Sequence, residues 1–155
     1  MTARESAPIL PPLYHVGIVV RDMAAASAAF EARWGVPTER IFDLDCADAT
    51  FRGHPARVRA RYGFLATGAS EIELIEPLDD APNPYNEFLA EHGEGVHHLA
   101  YIVESIAAYT DHLGGELSTA GRVVLDAALP MGGRFTYLEG LAFGPVVELI
   151  EVPRS

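Results

Sequence analysis

Two short motifs with side chains that could do chemistry each occur twice in this chain. His15-Val16-Gly17-Ile18-Val19-Val20 recurs as His98-Leu99-Ala100-Tyr101-Ile102-Val103, and Glu73-Leu74-Ile75-Glu76 recurs as Glu148-Leu149-Ile150-Glu151. Each copy places a histidine at the start of an apolar run and a glutamate further along. Repetition of this kind indicates an internal duplication. Two such halves, paired with each other, would bring two imidazoles and two carboxylates to one site.

The alternation of side chains along a strand selects one glutamate from each copy. Successive side chains point to opposite faces, so Glu73 and Glu76 cannot both point inward. Glu73 and Glu148 lie in mid-strand and are the candidates for burial. Glu76 and Glu151 lie near the prolines that follow each motif, and we expect them to be exposed.

Two imidazoles and two carboxylates form a donor set that suits a divalent metal of intermediate softness, namely Co, Ni, Zn, Mn or Fe. Buried carboxylates without a cation would be costly, which favours a bound ion. The sequence therefore predicts one divalent metal ion, held by His15, Glu73, His98 and Glu148. Gly17 and Ala100, two positions beyond each histidine, are interpreted as leaving room for a substrate. The other histidines are predicted to lie at the surface or behind the ligands: His54, His92, His97 and His112.

A β-α-β-β-β pattern positions these residues in each half. The elements predicted for the first half are strand Val16–Val20, helix Met23–Trp34 after the cap Asp22, and strands Ile41–Cys46, Val58–Thr67 and Glu71–Glu76. Those of the second half are strand Val96–Val103, helix Ile106–Leu113 after the cap Ser105, and strands Arg122–Leu125, Arg134–Leu138 and Val146–Val152. The linker 78–95 contains Tyr85–His92, which could form a helical turn or two.

This order predicts an α+β fold of two tandem βαβββ modules, about 13–77 and 96–152, within a single domain over 1–155. The modules would form one curved, mixed sheet of eight strands around a metal cleft. A chain of 155 residues is long enough to bury one sizeable core.

Composition excludes several function classes. The net charge of −11 makes nucleic acid an unsuitable partner, because phosphate binding needs a basic face. The chain has no lysine, which excludes Schiff-base chemistry and a P-loop. No apolar run approaches the length of a membrane span, so no membrane association is expected. The single cysteine, Cys46, cannot form an internal disulfide and is predicted to be a strand residue in a cytoplasmic protein.

Four of the eleven arginines fall close together, at Arg52, Arg57, Arg59 and Arg61. One interpretation is a solvated edge strand or loop. The other is a rim that holds the anionic tail of a substrate, such as a phosphate or a carboxylate.

The segments Ile72-Glu73-Leu74-Ile75-Glu76-Pro77-Leu78, Tyr85-Asn86-Glu87-Phe88-Leu89 and Gly95-Val96-His97-His98-Leu99-Ala100 carry a family resemblance. They resemble the methylmalonyl-CoA epimerase branch of the vicinal oxygen chelate superfamily, which also includes glyoxalase I, extradiol dioxygenases and bleomycin-resistance proteins. The resemblance extends from Leu13 to Val152. It implies the same four ligands, with Glu73 at a position where the epimerase tends to carry Gln and bacterial glyoxalase I carries Glu.

The resemblance also implies an activity. It indicates a metal-dependent isomerase, epimerase or glyoxalase-type lyase that stabilises an enolate or enediolate of a small carbonyl or acyl-CoA substrate. Glu148 would be the proton-transfer base and Glu73 a second base on the opposite face of the substrate. A homodimer is implied as well. The residues proposed to orient the substrate are Arg61, Tyr101, Arg134 and Tyr137.

Two other functions stay open at this point. An Fe(II) extradiol-type dioxygenase would need Glu73 off the metal. A non-catalytic small-molecule-binding or resistance protein would use the same cleft only for binding, and such proteins often lose the ligands that this chain retains.

Overall fold

The computed structural model describes residues 8–114, 122–141 and 144–154. Within them the elements follow in the order β1 (His15–Val19), α1 (Met23–Trp34), β2 (Arg40–Phe51), β3 (His54–Ala66), β4 (Glu71–Pro77), α2 (Pro84–His92), β5 (Gly95–Val103), α3 (Ile106–Leu113), β6 (Val123–Ala128), β7 (Arg134–Leu138) and β8 (Val146–Glu151).

The eight strands form one mixed sheet that closes into a barrel in the order β1-β4-β3-β2-β6-β7-β8-β5. Within each module one pair is parallel, β1 with β4 and β5 with β8. The modules meet along two antiparallel seams, β1 with β5 and β2 with β6. The predicted pair of βαβββ modules in one eight-stranded sheet is confirmed. Closure of the sheet at the second seam was not predicted.

Strands β2 and β3 are longer than predicted. The sequence prediction ended the first at Cys46 and began the second at Val58, because polar residues interrupt the apolar pattern there. The two strands nevertheless stay paired as far as Phe51 and His54, and residues 49–51 also pair with β6. Backbone hydrogen bonds therefore extend the strands where the side chains do not favour them. Cys46 is a buried strand residue, as predicted, and burial raises the pKa of its thiol to about 11.

The bounds of α1 and α3 agree with the sequence prediction, because both helices begin after a capping side chain and end at glycine. Asp22 Oδ1 accepts a hydrogen bond from the backbone N–H of Ala25, and Ser105 Oγ accepts one from Ala108. Helix α2 is fuller than the predicted turn or two, since Asn83 caps it and accepts from two backbone N–H groups. No helix in the described ranges is long and apolar enough to cross a membrane.

Glu76 and Glu151 contradict the prediction that they are exposed. Each is partly buried at the end of its strand. Glu76 Oε2 accepts a hydrogen bond from the backbone N–H of Met23, and Glu151 Oε2 accepts one from Ile106 at 2.8 Å. A helix N-terminus presents unpaired N–H groups and a partial positive charge, so it attracts these carboxylates.

Three groups of buried side chains divide the interior. Met23 of α1 packs with Leu65 and Leu74 on the outer surface of the first module. Ile106 of α3 packs in the same way with Leu138 and Leu149 of the second. The barrel interior has its own apolar cluster, to which α2 contributes Tyr85 and Leu89. Helices α1 and α3 therefore lie outside the barrel, and α2 closes one of its ends.

Candidate metal centre

Four adjacent strands bring the predicted ligands together inside the barrel. The strand order β4-β1-β5-β8 places the two histidines on the central pair and one glutamate on each side. His15 and His98 are 1% and 0% exposed, and Glu73 and Glu148 are each 6% exposed. One potential ligand atom from each of the four lies within 4.8 Å of the others.

The glutamates approach the histidines unequally. Glu148 Oε2 lies 3.0 Å from His15 Nε2 and 2.9 Å from His98 Nε2. Glu73 Oε1 lies farther away, at 3.4 and 3.5 Å from the same two nitrogens. The two Nε2 atoms are 3.0 Å apart. All of these atoms face one common point, as ligands of a single ion would.

Electrostatic coupling between His98 and Glu148 shifts the pKa values of both groups. Burial alone would lower the pKa of His98, but the charge and hydrogen bond of Glu148, with a hydrogen bond to Glu73, raise it to about 9. Burial alone would raise the pKa of Glu148, but His98 and His15 lower it to about 2. Without an ion, the site is thus held together by a protonated imidazole and an ionised carboxylate.

The donor set fits a divalent ion. Glu73 and Glu148 are buried without a lysine or arginine partner among the described residues. Two nitrogen and two carboxylate donors are typical ligands of Zn, Co, Ni, Fe or Mn. An ion would also relieve the repulsion between two buried carboxylates.

A bulge in β5 brings a third histidine to the site. Gly17 pairs with His98 but Ile18 pairs with Val96, so His97 is an extra residue between them. As a result His97 is also buried, and its Nδ1 lies 2.9 Å from Nδ1 of His98. Burial and the nearby charge of His98 lower the pKa of His97 to about 3. His97 therefore lies behind the ligand His98, one of the two places predicted for it.

Gly17 has a different role from the one predicted. A Cβ atom on Gly17 would lie 2.1 Å from Cε1 of His98. The missing side chain thus leaves room for the ligand imidazole itself, and not for a substrate. The second module has the equivalent pairing, since its small residue Ala100 pairs with His15 as Gly17 pairs with His98.

Three buried tyrosines are linked by hydrogen bonds beside the metal centre. The hydroxyl of Tyr85 lies 3.0 Å from that of Tyr62 and 2.7 Å from that of Tyr137. Burial raises the pKa of all three phenols well above 10. Sequence reasoning named only Tyr137, whose ring lies 4.9 Å from that of His98. Alternation along β3 could have identified Tyr62 as inward-facing, but nothing in the linker indicated that Tyr85 enters the barrel.

The other three residues predicted to orient a substrate lie elsewhere. Tyr101 packs in the apolar cluster beneath α3, outside the barrel. Arg61 pairs with Asp43 at 2.8 Å, and Arg134 pairs with Asp126. Their neighbours along each strand face the interior, so alternation turns these three side chains away. The structure brings only Tyr137 to the metal centre.

The four clustered arginines do not form a rim around the site. Arg57 and Arg61 form ion pairs with Asp45 and Asp43 of the neighbouring strand. Arg52 lies in the β2–β3 turn and bonds both Glu87 and Glu139. Arg59 lies between Asp45 and Asp79, near 4 Å from each. These contacts favour the solvated strand and turn over an anion-binding rim.

A cavity of about 180 Å³ opens onto His15, Glu73 and Glu148 from the end of the barrel opposite α2. Its walls are mainly aromatic and aliphatic side chains from β2, β3, β7 and β8. A larger groove of about 750 Å³ lies beside α2 and is lined by His97, but by none of the four ligands. The smaller cavity is therefore the one from which a substrate could reach the metal centre.

Comparison with known proteins identifies the family. A model of the glyoxalase/bleomycin resistance protein/dioxygenase superfamily matches residues 14–128. The chain therefore belongs to this superfamily, which agrees with the fold.

Individual proteins match this chain in sequence or in structure. The chain is 30% identical to an ethylmalonyl-CoA/methylmalonyl-CoA epimerase from Cereibacter sphaeroides over 122 residues, which are 78% of this chain and 79% of that one. It is 35% identical over 49 residues to the uncharacterized protein YqjC of Bacillus subtilis, a match that spans 32% of this chain and 34% of that protein. Methylmalonyl-CoA epimerase from Mycobacterium tuberculosis has a similar structure, with a TM-score of 0.67 and 24% identity over 96% of this chain and 93% of the other.

Proposed function

We propose that this protein is a divalent-metal-dependent isomerase or epimerase that moves a proton at a carbon atom next to a carbonyl group. The observation that carries the proposal is the pair of buried carboxylates, Glu73 and Glu148, one on each side of two histidines. The relationship to an acyl-CoA epimerase supports the same class of chemistry. A glyoxalase-type lyase would use the same proton transfer and remains within this proposal.

His15, Glu73, His98 and Glu148 would hold the ion, which when bound supplies a positive charge that stabilises negative charge on a substrate oxygen. Glu148 is our candidate to accept the proton, because its buried carboxylate lies within 3.0 Å of both ligand nitrogens and so beside the ion site. Glu148 takes the proton, the electron pair of the broken C–H bond forms a new C=C bond, and the π electron pair of the carbonyl bond moves to the oxygen. The result is an enolate.

Return of a proton completes the reaction. If Glu73 starts the cycle protonated and delivers that proton to the opposite face of the same carbon, the configuration inverts. Glu148 then releases its proton to solvent and Glu73 takes one up, which restores both groups. If the proton returns to a neighbouring carbon, the product is an isomer. Glu73 and Glu148 come from the two outer strands of the β4-β1-β5-β8 group, so they approach the site from different sides. This arrangement suits transfer between faces.

The first test is metal content, measured by mass spectrometry on protein purified without a chelating tag. We expect about one Co, Ni, Zn or Mn per chain, lost in His98→Ala and retained in His112→Ala, which alters a histidine of α3 outside the site. Stoichiometric iron with oxygen consumption would favour the dioxygenase. Absence of metal, even after reconstitution, would contradict the four-ligand site.

The second test distinguishes the proton-transfer roles of Glu73 and Glu148. Exchange of the substrate α-proton in D2O can be followed by NMR with protein reconstituted with the metal found above. Glu148→Gln should abolish exchange, whereas Glu73→Gln should preserve exchange at one face and abolish inversion. Equal loss of both activities in both variants would contradict separate roles for the two residues.

A further inference from the structure

The cavity above the metal centre has apolar walls. Phe42, Leu44, Phe64, Leu129, Phe135 and Ile150 line it, together with tyrosines and the ligands. No arginine contributes to the lining, and the chain has no lysine. The charged groups that line the cavity are the carboxylates of Glu73 and Glu148 and, when protonated, the imidazole of His15, and all three face the ion site.

Two arginines at this end of the barrel, Arg40 and Arg134, already bind carboxylates. Arg40 makes two hydrogen bonds to Glu71, at 2.9 and 3.0 Å, and its guanidinium lies over the ring of Phe64. Arg134 is bonded to both carboxylate oxygens of Asp126. Arg154 lines a neighbouring groove and not this cavity. An anionic group at the entrance that bound Arg40 or Arg134 would therefore have to displace the carboxylate that each already binds.

The overall charge of the molecule also disfavours an anionic substrate. A net charge of −11 gives the molecule a field that repels a polyanion during approach. Fixed cations that pair with the phosphate groups of coenzyme A would compensate this repulsion. The described residues around the entrance offer few cations that are not already paired.

The size of the cavity limits the reacting part of the substrate. About 180 Å³ is close to the roughly 150 Å³ of an engineered apolar cavity that accepts benzene. At the entrance the exposed fractions of Phe42 and Met131 are 37% and 63%, so apolar surface continues outward. Such walls favour an apolar group of about one ring.

We propose that the substrate is an uncharged carbonyl compound with an apolar group about the size of one aromatic ring, and not a thioester of coenzyme A. The proposal rests on the proton-transfer function proposed above and narrows its substrate. The carbonyl oxygen would lie toward the ligands and the apolar group against Phe42, Phe64 and Phe135. The proton passes from the carbon next to the carbonyl to Glu148 and back, so no other reactant is needed.

The test compares two substrates with the metal-reconstituted full chain. Exchange of α-protons in D2O is measured for 2-hydroxyacetophenone, which is neutral and aromatic, and for methylmalonyl-CoA, each against the Glu148→Gln background. We expect kcat/KM to be at least tenfold higher for the ketone. A higher value for methylmalonyl-CoA would overturn this inference and leave the proton-transfer function supported. If neither substrate exchanges its α-protons above background, the result contradicts both this inference and the proposed proton-transfer function.

Two variants of neighbouring residues locate the apolar contact. Phe42 lines the cavity, whereas the adjacent Ile41 is 52% exposed and does not. Phe42→Ala should raise KM for the ketone about tenfold, since the contact of one aromatic side chain is worth about that factor, while Ile41→Ala should leave it unchanged. An equal effect of the two substitutions, or no effect of either, would contradict the assigned binding site.

Discussion

Gly17 and His98 face each other across the seam between β1 and β5, and the space available to one depends on the other. The nearest approach of a Cβ on Gly17 to the imidazole would be 2.1 Å, far below van der Waals contact. Adding a single methyl group at this position must therefore displace the ligand ring.

We predict that Gly17→Ala weakens metal binding at least tenfold and lowers the free energy of unfolding by about 1–3 kcal/mol, as overpacking of a buried site does. Calorimetry of metal binding and denaturant unfolding measure the two effects. Gly95→Ala is the matched control, because its Cβ would lie 3.9 Å from Phe88, an ordinary contact. Unchanged affinity in Gly17→Ala would show that the imidazole is not held there.

His97 gives His98 its one hydrogen-bond partner on the side away from the carboxylates. For Nε2 of His98 to bind an ion, its proton must be on Nδ1, and the nearby Nδ1 of His97 can accept it. His97 would then act as a positioning residue, by selecting the tautomer of the ligand.

We predict that His97→Phe weakens metal binding by about 10- to 100-fold, the usual effect of losing such a partner. His97→Asn retains an accepting oxygen and should recover part of the affinity. His92→Phe serves as control, because His92 lines the same groove beside α2 but does not contact His98. Equal affinities of the Phe and Asn variants would mean that only packing is involved.

At the scale of elements, the repeated Glu-Leu-Ile-Glu motif has two functions in each module. Its first glutamate points into the barrel, and its last glutamate accepts a hydrogen bond from the first N–H group of the helix that precedes it in the same module. The strands that carry the ligands are therefore tied to the helices that cover them. Strand alternation separated the two glutamates correctly, but it could not identify the helix contact, because that contact depends on how α1 and α3 pack.

We predict that Glu76→Ala and Glu151→Ala each lower the free energy of unfolding by about 0.5–2 kcal/mol, the range found for lost helix caps. Glu31→Ala, on the exposed surface of α1, should change it by less than about 0.5 kcal/mol. Urea denaturation compares the three variants. A cost at Glu31 equal to that at Glu76 would exclude the capping contact as the cause.

At the scale of the whole molecule, a proton and a bound divalent ion would compete for the same groups. In protein stripped of metal, the raised pKa of His98 stabilises the fold below its ordinary value of 6.5, and this contribution is lost as the pH rises through about 9. The lowered pKa of Glu148 stabilises the fold above 4.5, and this contribution is lost as the pH falls toward about 2. The metal-free chain should thus be most stable between pH 4.5 and 6.5, where both contributions are present.

A bound ion displaces the proton of His98, so metal-loaded protein lacks the loss of stability on the alkaline side. We predict that the difference in Tm between metal-loaded and chelator-treated protein grows from pH 6.5 to 9. Thermal unfolding at constant ionic strength measures it. In His98→Gln this Tm difference should not grow with pH. A Tm difference that stays constant with pH in the unaltered chain would contradict coupling of His98 to Glu148.

The predicted homodimer, the single domain over the full length and the cytoplasmic location stay predictions. The structure contains one chain. Its exposed apolar side chains, such as Trp34 at 72% exposed, do not identify a partner. Sedimentation velocity on the metal-loaded chain would determine the oligomeric state.

The sequence by itself determined the duplication, the order of elements in each module and the four candidate ligands. It could do so because strand alternation and helix caps act between near neighbours, and because each half repeats the same local pattern. Only the tertiary structure decided that β2 and β6 close the barrel, that Tyr85 enters it from the linker, and that a bulge turns His97 toward His98. It also decided that Arg61, Tyr101 and Arg134 point away from the cavity. These features depend on pairing between distant strands, whose register and bulges no local pattern specifies.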